Sequence, residues 1–292
     1  MSKFVEFFEK FFPKKGVGHE VMIREGTPVH EIKSFKSEVE KSKEGKYVLG
    51  KIEAVEILPT RVDGFDDLID DGGFERGSTI LISGGAGTGK TTFSMHMLYY
   101  GALKGEKGIY ISFEEDPKKI KAHMKKNFGW DFYELEKKGL IAFIKIDPLK
   151  IARKIEAQIL QGIAGTEIQI EQLPFPFKPD RVIVDSLSAL GITFEDEENY
   201  RRYVRHMFED LEGYNSVNIV LTETEQQPKV YSRAGIEEFL ADGVIVFYNI
   251  TKGKHRQNFI EILKLRSSNH ERDLMEYEIR SDGIKVLEKC KK

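Results

Sequence analysis

The stretch Ser78-Thr79-Ile80-Leu81-Ile82-Ser83-Gly84-Gly85-Ala86-Gly87-Thr88-Gly89-Lys90-Thr91-Thr92 decides how this chain is read. Residues 84–91 spell G-x-x-x-x-G-K-[ST], the Walker A phosphate loop. Glycines let the backbone curl round an anion and aim several N–H groups at it. Lys90 is placed to reach β- and γ-phosphates, and Thr91 to offer its hydroxyl to magnesium. The helix that follows adds its positive N-terminal end. Gly84, Gly85, Ala86, Gly87, Thr88, Gly89, Lys90, Thr91 and Thr92 are therefore the candidate residues for binding a nucleoside triphosphate. The flanks agree with the motif. A short β-branched run precedes it, and Phe93 to Tyr100 carries apolar residues at helical spacing. His96, inside that helix, reads as packing.

Working outward, 292 residues can hold one large α/β domain or two small ones. The 45 Lys and Arg against 48 Asp and Glu leave a net charge of −3, which argues against a nucleic-acid binder driven by bulk charge. A single Cys290 excludes a disulfide framework and fits a reducing cytoplasm. No apolar run approaches the roughly 18 residues needed to span a bilayer. The acidic residues within Phe4–Phe12 do not fit a signal peptide.

Two regions are expected: an N-terminal extension, 1–56, and a nucleotide-binding α/β domain, 57–292. In the first, Phe4, Phe7, Phe8, Phe11 and Phe12 fall on one face of a short helix that Pro13 stops. That stripe suits docking onto the protein's own core or a neighbouring subunit, or else onto a protein partner or membrane surface through residues 1–12. A charged, weakly patterned stretch, 33–46, follows. In the second region strands are expected at Thr79–Ser83, Gly108–Phe113, Ile141–Ile146, Arg181–Asp185 and Val217–Thr222. Helices are expected at 90–104, 117–127, 149–161 and 198–212. This alternation implies a mostly parallel α/β sheet covered on both faces. Close-set strands at Gly243–Ile250, Phe259–Leu265, Leu274–Ile279 and Gly283–Leu287 imply an antiparallel extension.

Hydrolysis needs a second acidic group for magnesium and something to orient the attacking water. Arg181-Val182-Ile183-Val184-Asp185 is an apolar strand ending in Asp, the Walker B form, which makes Asp185 the second metal-site residue. A turn former or helix cap is the alternative for such an Asp. The strand at Gly108 ends in Glu114-Glu115-Asp116-Pro117. Asp116 followed by Pro117 reads as a helix N-cap with proline at the first helical position. Glu114 and Glu115 lie at the strand edge facing the nucleotide. One of them could polarise water, or both could simply complement a helix N-terminus.

From Ile57 to Glu288 the chain resembles KaiC-type ATPases of the RecA superfamily, close to the single-domain archaeal and bacterial members. The resemblance rests on five blocks: Thr60–Leu68 with Gly72–Ser78, the phosphate loop, Ile109–Glu115, Pro179–Leu190 and Gly235–Ile245. It implies a RecA-like fold, ATP with Mg2+, and Glu114 as catalytic base with Glu115 beside it. It also implies self-assembly into a ring or filament, a hexamer in the ring case, with nucleotide between neighbours. Lys264-Leu265-Arg266-Ser267-Ser268-Asn269-His270 is similar to the family's basic strand-loop, so Lys264 and Arg266 are expected to act on the next subunit's γ-phosphate. Residues two apart in a strand share a face. An exposed basic face is the alternative reading.

This sequence departs from the family at Ser267 and Arg61, where Gly is usual, and at Asp70-Asp71. The resemblance does not extend to residues 1–56. The expected function is slow, magnesium-dependent ATP hydrolysis by an oligomer with a regulatory or signalling role. The alternatives are a recombinase- or helicase-like motor, whose DNA loop would lie near Glu225–Arg233, and an ATP-switched binding module with negligible hydrolysis. No Asn-Lys-x-Asp guanine reader occurs.

Overall fold

The structure is a computed structural model and describes residues 53–160, 175–225, 231–232 and 235–288, with short strand segments between 35 and 49. The Phe-rich stripe of residues 4–12, most of the loop after Glu225 and Cys290 lie outside the described residues. Contacts divide the chain into Met1–Glu53 and Ala54–Lys292. In the first unit Val39–Lys41 pairs antiparallel with Tyr47–Leu49, inside and just beyond the stretch read as weakly patterned.

The second unit is built on one nine-stranded sheet. Its strands are β1 (Thr79–Gly84), β2 (Gly108–Ser112), β3 (Ile141–Lys145), β4 (Arg181–Asp185), β5 (Val217–Glu223), β6 (Gly243–Lys252), β7 (His255–Leu265), β8 (Met275–Arg280) and β9 (Gly283–Val286). The order is β9-β8-β7-β6-β1-β5-β4-β2-β3. The six strands from β6 to β3 run parallel. β7, β8 and β9 continue the sheet antiparallel from β6. This is the mostly parallel α/β sheet with an antiparallel extension that the sequence implies.

The parallel strands read as unbroken apolar runs because both faces are buried. Ile80, Ile82, Tyr110, Ile183, Ile219 and Leu221 enter one core; Leu81, Ile109, Ile111, Val182, Val184 and Val220 enter the other. The first core is closed by α1 (Lys90–Ala102), α2 (Pro117–Phe128), α3 (Phe132–Lys137) and the β8–β9 hairpin. α4 (Pro148–Leu160), α5 (Leu187–Thr193), α6 (Glu197–Gly213) and the region of α7 (Glu237–Leu240) close the second. α1 is apolar nearly all round, as a helix enclosed on every side must be. α6 buries only Tyr200, Tyr203, Val204, Met207, Phe208 and Leu211, one stripe at helical spacing.

Asp116 caps α2 as expected, accepting from the Lys118 N–H at 2.7 Å with Pro117 behind it. The short helices α3, α5 and α7 were not anticipated. None is long enough for its apolar period to register, and α5 carries Gly191, Ile192 and Thr193 in its last turn. His96 is buried against Tyr100 and Trp130. Its Nε2 lies 2.8 Å from the Arg61 carbonyl and its Nδ1 accepts from the Ile284 N–H, so its role is packing.

Candidate active site

In a parallel sheet the loops at the C-terminal strand ends gather on one edge. β1, β5, β4 and β2 are consecutive in the sheet, and they bring four loops round one open cavity of about 330 Å³, within the range of ligand pockets. Gly87, Gly89, Lys90, Thr91 and Thr92 line it from the phosphate loop, Glu114 and Glu115 from the end of β2, and Asp185 from the end of β4. Gly84, Gly85, Ala86 and Thr88 shape the loop without lining the cavity.

The loop's path depends on its glycines. A Cβ on Gly84 would sit 2.4 Å from the Phe247 carbonyl oxygen of β6. Gly87 and Gly89 have φ of 77° and 90°, in the left-handed region that favours glycine. Thr88 is buried, its hydroxyl donating to the Gly85 carbonyl at 2.8 Å. The Tyr277 hydroxyl donates to the Thr88 carbonyl, so the antiparallel extension clamps the loop from outside. Lys90 Nζ donates to the carbonyls of Gly84 and Gly85 at 2.8 and 3.0 Å.

The Thr91 hydroxyl donates to Asp185 Oδ2 at 2.9 Å. A hydroxyl and a carboxylate oxygen in contact beside the phosphate loop are the two hard oxygen donors that magnesium takes from protein in nucleotide sites. Among the described residues no group of three or more His, Cys, Asp or Glu could hold an ion alone. An ion here would complete its shell from phosphate and water. The donor set fits magnesium on those terms.

Glu114 accepts from the Ser186 hydroxyl at 3.4 Å. Burial, then the negative charges of Glu223 and Asp185, push its carboxyl above the ordinary glutamate range, with Ser186 and Lys90 pulling the other way. Burial likewise raises Asp185, against hydrogen bonds from Tyr110 and Thr91. Burial lowers Lys90, against Glu223, Asp185 and Glu114. Glu115 turns partly outward, 3.6 Å from His123.

Lys264 and Arg266 are elsewhere. Lys264 is paired with Val244 near the start of β6, and the Arg266 N–H donates to the Asp242 carbonyl, level with Thr79. Gly84 lies a strand's length further on, about 17 Å at ~3.3 Å per residue. The two cations share a face and are held by their own chain. Lys264 Nζ donates to the carbonyls of Glu238 and Ala241 at 3.0 and 2.6 Å, and Arg266 to the Phe239 carbonyl at 3.0 Å. Burial, then Arg266, lowers Lys264.

Sequence reasoning missed several cavity residues. Glu223 ends β5 just as Asp185 ends β4, and an apolar strand closing on a carboxylate was the available signal. Ser112 and Ser186 gave no local signal, and neither did Ile279, which reaches the cavity from the distant β8. Tyr110, whose hydroxyl donates to Asp185 Oδ2, looked like an ordinary strand aromatic.

A sequence model described as the KaiC ATPase matches residues 58–291. The chain belongs to the KaiC family of ATPases. It is 32% identical over 241 residues to the circadian clock oscillator protein KaiC of Acaryochloris marina, covering 81% of this chain and 45% of that protein. For the KaiC of a Nostoc species the figures are 33% over 239 residues, 80% and 44%. The chain thus spans about half the length of the curated relatives it matches. A crystal structure of a KaiC-like protein from the hyperthermophilic archaeon Pyrococcus horikoshii is similar over 80% of this chain and all of that one, with a TM-score of 0.66 and 32% identity. The fold is therefore the RecA-like one of KaiC-like proteins. Among the described residues no helix is long and apolar enough to cross a membrane.

Proposed function

We propose that this KaiC-family chain binds ATP with magnesium and hydrolyses it, as an oligomer whose neighbouring copies complete each site. The reading rests on one observation: Lys90, Thr91, Glu114 and Asp185, from three separate loops, line the same cavity. Loop N–H groups and Lys90 bind the phosphates, and Thr91 and Asp185 hold the magnesium side. When bound, magnesium neutralises charge on the β- and γ-oxygens. Glu114, steadied by Ser186, accepts a proton from the attacking water at its carboxylate, and its raised affinity for protons suits a general base. Lys264 and Arg266 serve a neighbour's γ-phosphate, since they stand at the sheet end away from their own loop. A ring, a hexamer for instance, or a filament satisfies that geometry, because a head-to-tail contact repeats. The output is regulatory or signalling, set by which copies hold ATP. Residues 1–56 are the N-terminal extension of this scheme, with residues 1–12 the candidate for binding a protein partner or membrane surface, and the protein works in the cytoplasm.

Phosphate release with magnesium or with EDTA tests this reading. Lys90→Ala should lose nucleotide binding, and Glu114→Gln should bind ATP but turn over 10²–10⁴ times more slowly. Equal turnover by Glu114→Gln and wild type would remove Glu114 as the base. Mass measurement with and without ATP and magnesium tests the assembly, repeated on a chain lacking residues 1–50.

A further inference from the structure

Tyr110 is a buried polar group at this site that neither the phosphate loop nor the proposed base accounts for. It sits in mid-β2 and is fully buried. Its ring packs 5.4 Å from that of Phe143, centroid to centroid. Phenylalanine would fill that space equally well, so packing explains the ring and not the hydroxyl. The hydroxyl is directed along the sheet to Asp185 Oδ2, at 2.5 Å. Register makes this possible. Tyr110 lies opposite Ile183 and Asp185 opposite Ser112, so Tyr110 and Asp185 are diagonal neighbours on one face, a separation that a long aromatic side chain spans.

The same Oδ2 accepts from Thr91. Two hydroxyls, one from β2 and one from α1, thus hold a single carboxylate oxygen. Oδ1 accepts no hydrogen bond among the described residues and is the oxygen left for the cavity that Asp185 lines. We infer that Tyr110 is a positioning residue for the magnesium side of the site. Its hydroxyl is a second fixed donor to Asp185 Oδ2, so the carboxylate keeps its orientation when Thr91, whose hydroxyl can ligate an ion through a lone pair and still donate its hydrogen, shifts to meet that ion. Without it, Oδ2 would depend on the Thr91 hydroxyl alone, a donor that shifts with the ion, and the carboxylate would be less restrained. Partners of metal-site residues typically contribute 10–100-fold in metal affinity. The inference rests on reading Asp185 as the magnesium-side carboxylate.

The test is Tyr110→Phe in the full chain, with binding of a fluorescent ATP analogue titrated in excess magnesium and in EDTA. Wild type sets the gain in affinity that magnesium provides. Tyr110→Phe should bind within about twofold of wild type in EDTA, while its magnesium-dependent gain falls roughly 10-fold or more. A full gain in Tyr110→Phe would overturn the inference, as would equal weakening in magnesium and EDTA, which marks packing alone. Tyr110→p-aminophenylalanine returns an N–H donor to the same place and should recover the gain. It also serves as the folded comparison if the Phe variant is unstable, and a folded form lacking the gain would overturn the inference. Asp185→Asn separates the two levels. If Asp185→Asn keeps the whole gain, the reading of Asp185 has failed; if it loses the gain and Tyr110→Phe does not, only the role of Tyr110 has.

Discussion

Substituting Arg266 by alanine removes a cation that its own chain cannot deliver to its own phosphate loop. Arg266 is level with Thr79, and the loop begins at the far end of β1, about 17 Å along the strand at ~3.3 Å per residue. No arginine side chain spans that gap. Its present contacts are weak enough to exchange. The side chain is 55% exposed, its ion pair with Asp242 is 3.4 Å long, and such surface pairs contribute about 0.2–1 kcal/mol. A triphosphate on a neighbouring copy can therefore outcompete them. If it does, Arg266→Ala should lower phosphate release roughly 10³-fold, the lower end for a trans arginine, and Lys90→Ala should abolish it. Mixing the two variants gives the decisive number. In a head-to-tail assembly every site takes its loop from one copy and its arginine from the next. With equal, random mixing half of the loops and half of the arginines are intact, independently of each other, so about a quarter of the sites are whole. Mixed assemblies should recover about a quarter of wild-type turnover, with subunit exchange verified by native mass spectrometry. If Arg266 acted within its own chain, no site in the mixture would be whole. Assemblies that exchange subunits yet stay at the parental level would refute the reasoning.

Further predictions concern charge and packing. The Glu223 anion helps to hold the Glu114 carboxyl above its ordinary range, so Glu223→Gln should let Glu114 ionise at lower pH; the acid limb of kcat/KM should move down, and an upward or absent shift would contradict this. Arg181 is only 1% exposed, and its Nε donates to Glu106 at 2.6 Å. Glu106→Gln should therefore cost about 3 kcal/mol in urea unfolding at neutral pH, because an unpaired buried charge remains. Burial opposes ionisation of Glu106, but Arg181 and Arg61 outweigh it and leave its pKa depressed. The pair's contribution is thus fully present above the unfolded-state glutamate pKa and lost as pH falls through the folded one, so the gap between wild type and Glu106→Gln should close in acid. Gly84→Ala should destabilise the fold by about 1–3 kcal/mol and weaken nucleotide binding, because its Cβ meets the β6 backbone at 2.4 Å. Gly87→Ala, with nothing within 4 Å of its Cβ, should cost only the strain of a positive φ, about 1–2 kcal/mol by thermal melting.

The sequence alone carried the parts of this protein whose physics is local. A glycine loop at fixed spacing carries its own backbone geometry, so the strand, loop and helix around Gly84–Thr91 were legible residue by residue. Strands buried on both faces must be unbroken apolar runs, so β1, β2, β4 and β5 could be placed to within a residue or two. Asp116-Pro117 announced its helix because capping involves adjacent residues. Asp185 and Glu114 were legible as strand ends whose partners followed from the parallel order. Tertiary structure decided what depends on register and distance. That Tyr110 rather than any other strand aromatic meets Asp185 follows from the pairing of β2 with β4, and that Ile279 reaches the phosphate loop follows from the folding back of the β8–β9 hairpin. Glu223 joined the site only once β5 was seated between β1 and β4. The separation of Arg266 from its own phosphate loop is likewise invisible in one dimension. It arises because β7 runs antiparallel to β6, which delivers the end of β7 to the edge of the sheet that the loop does not occupy.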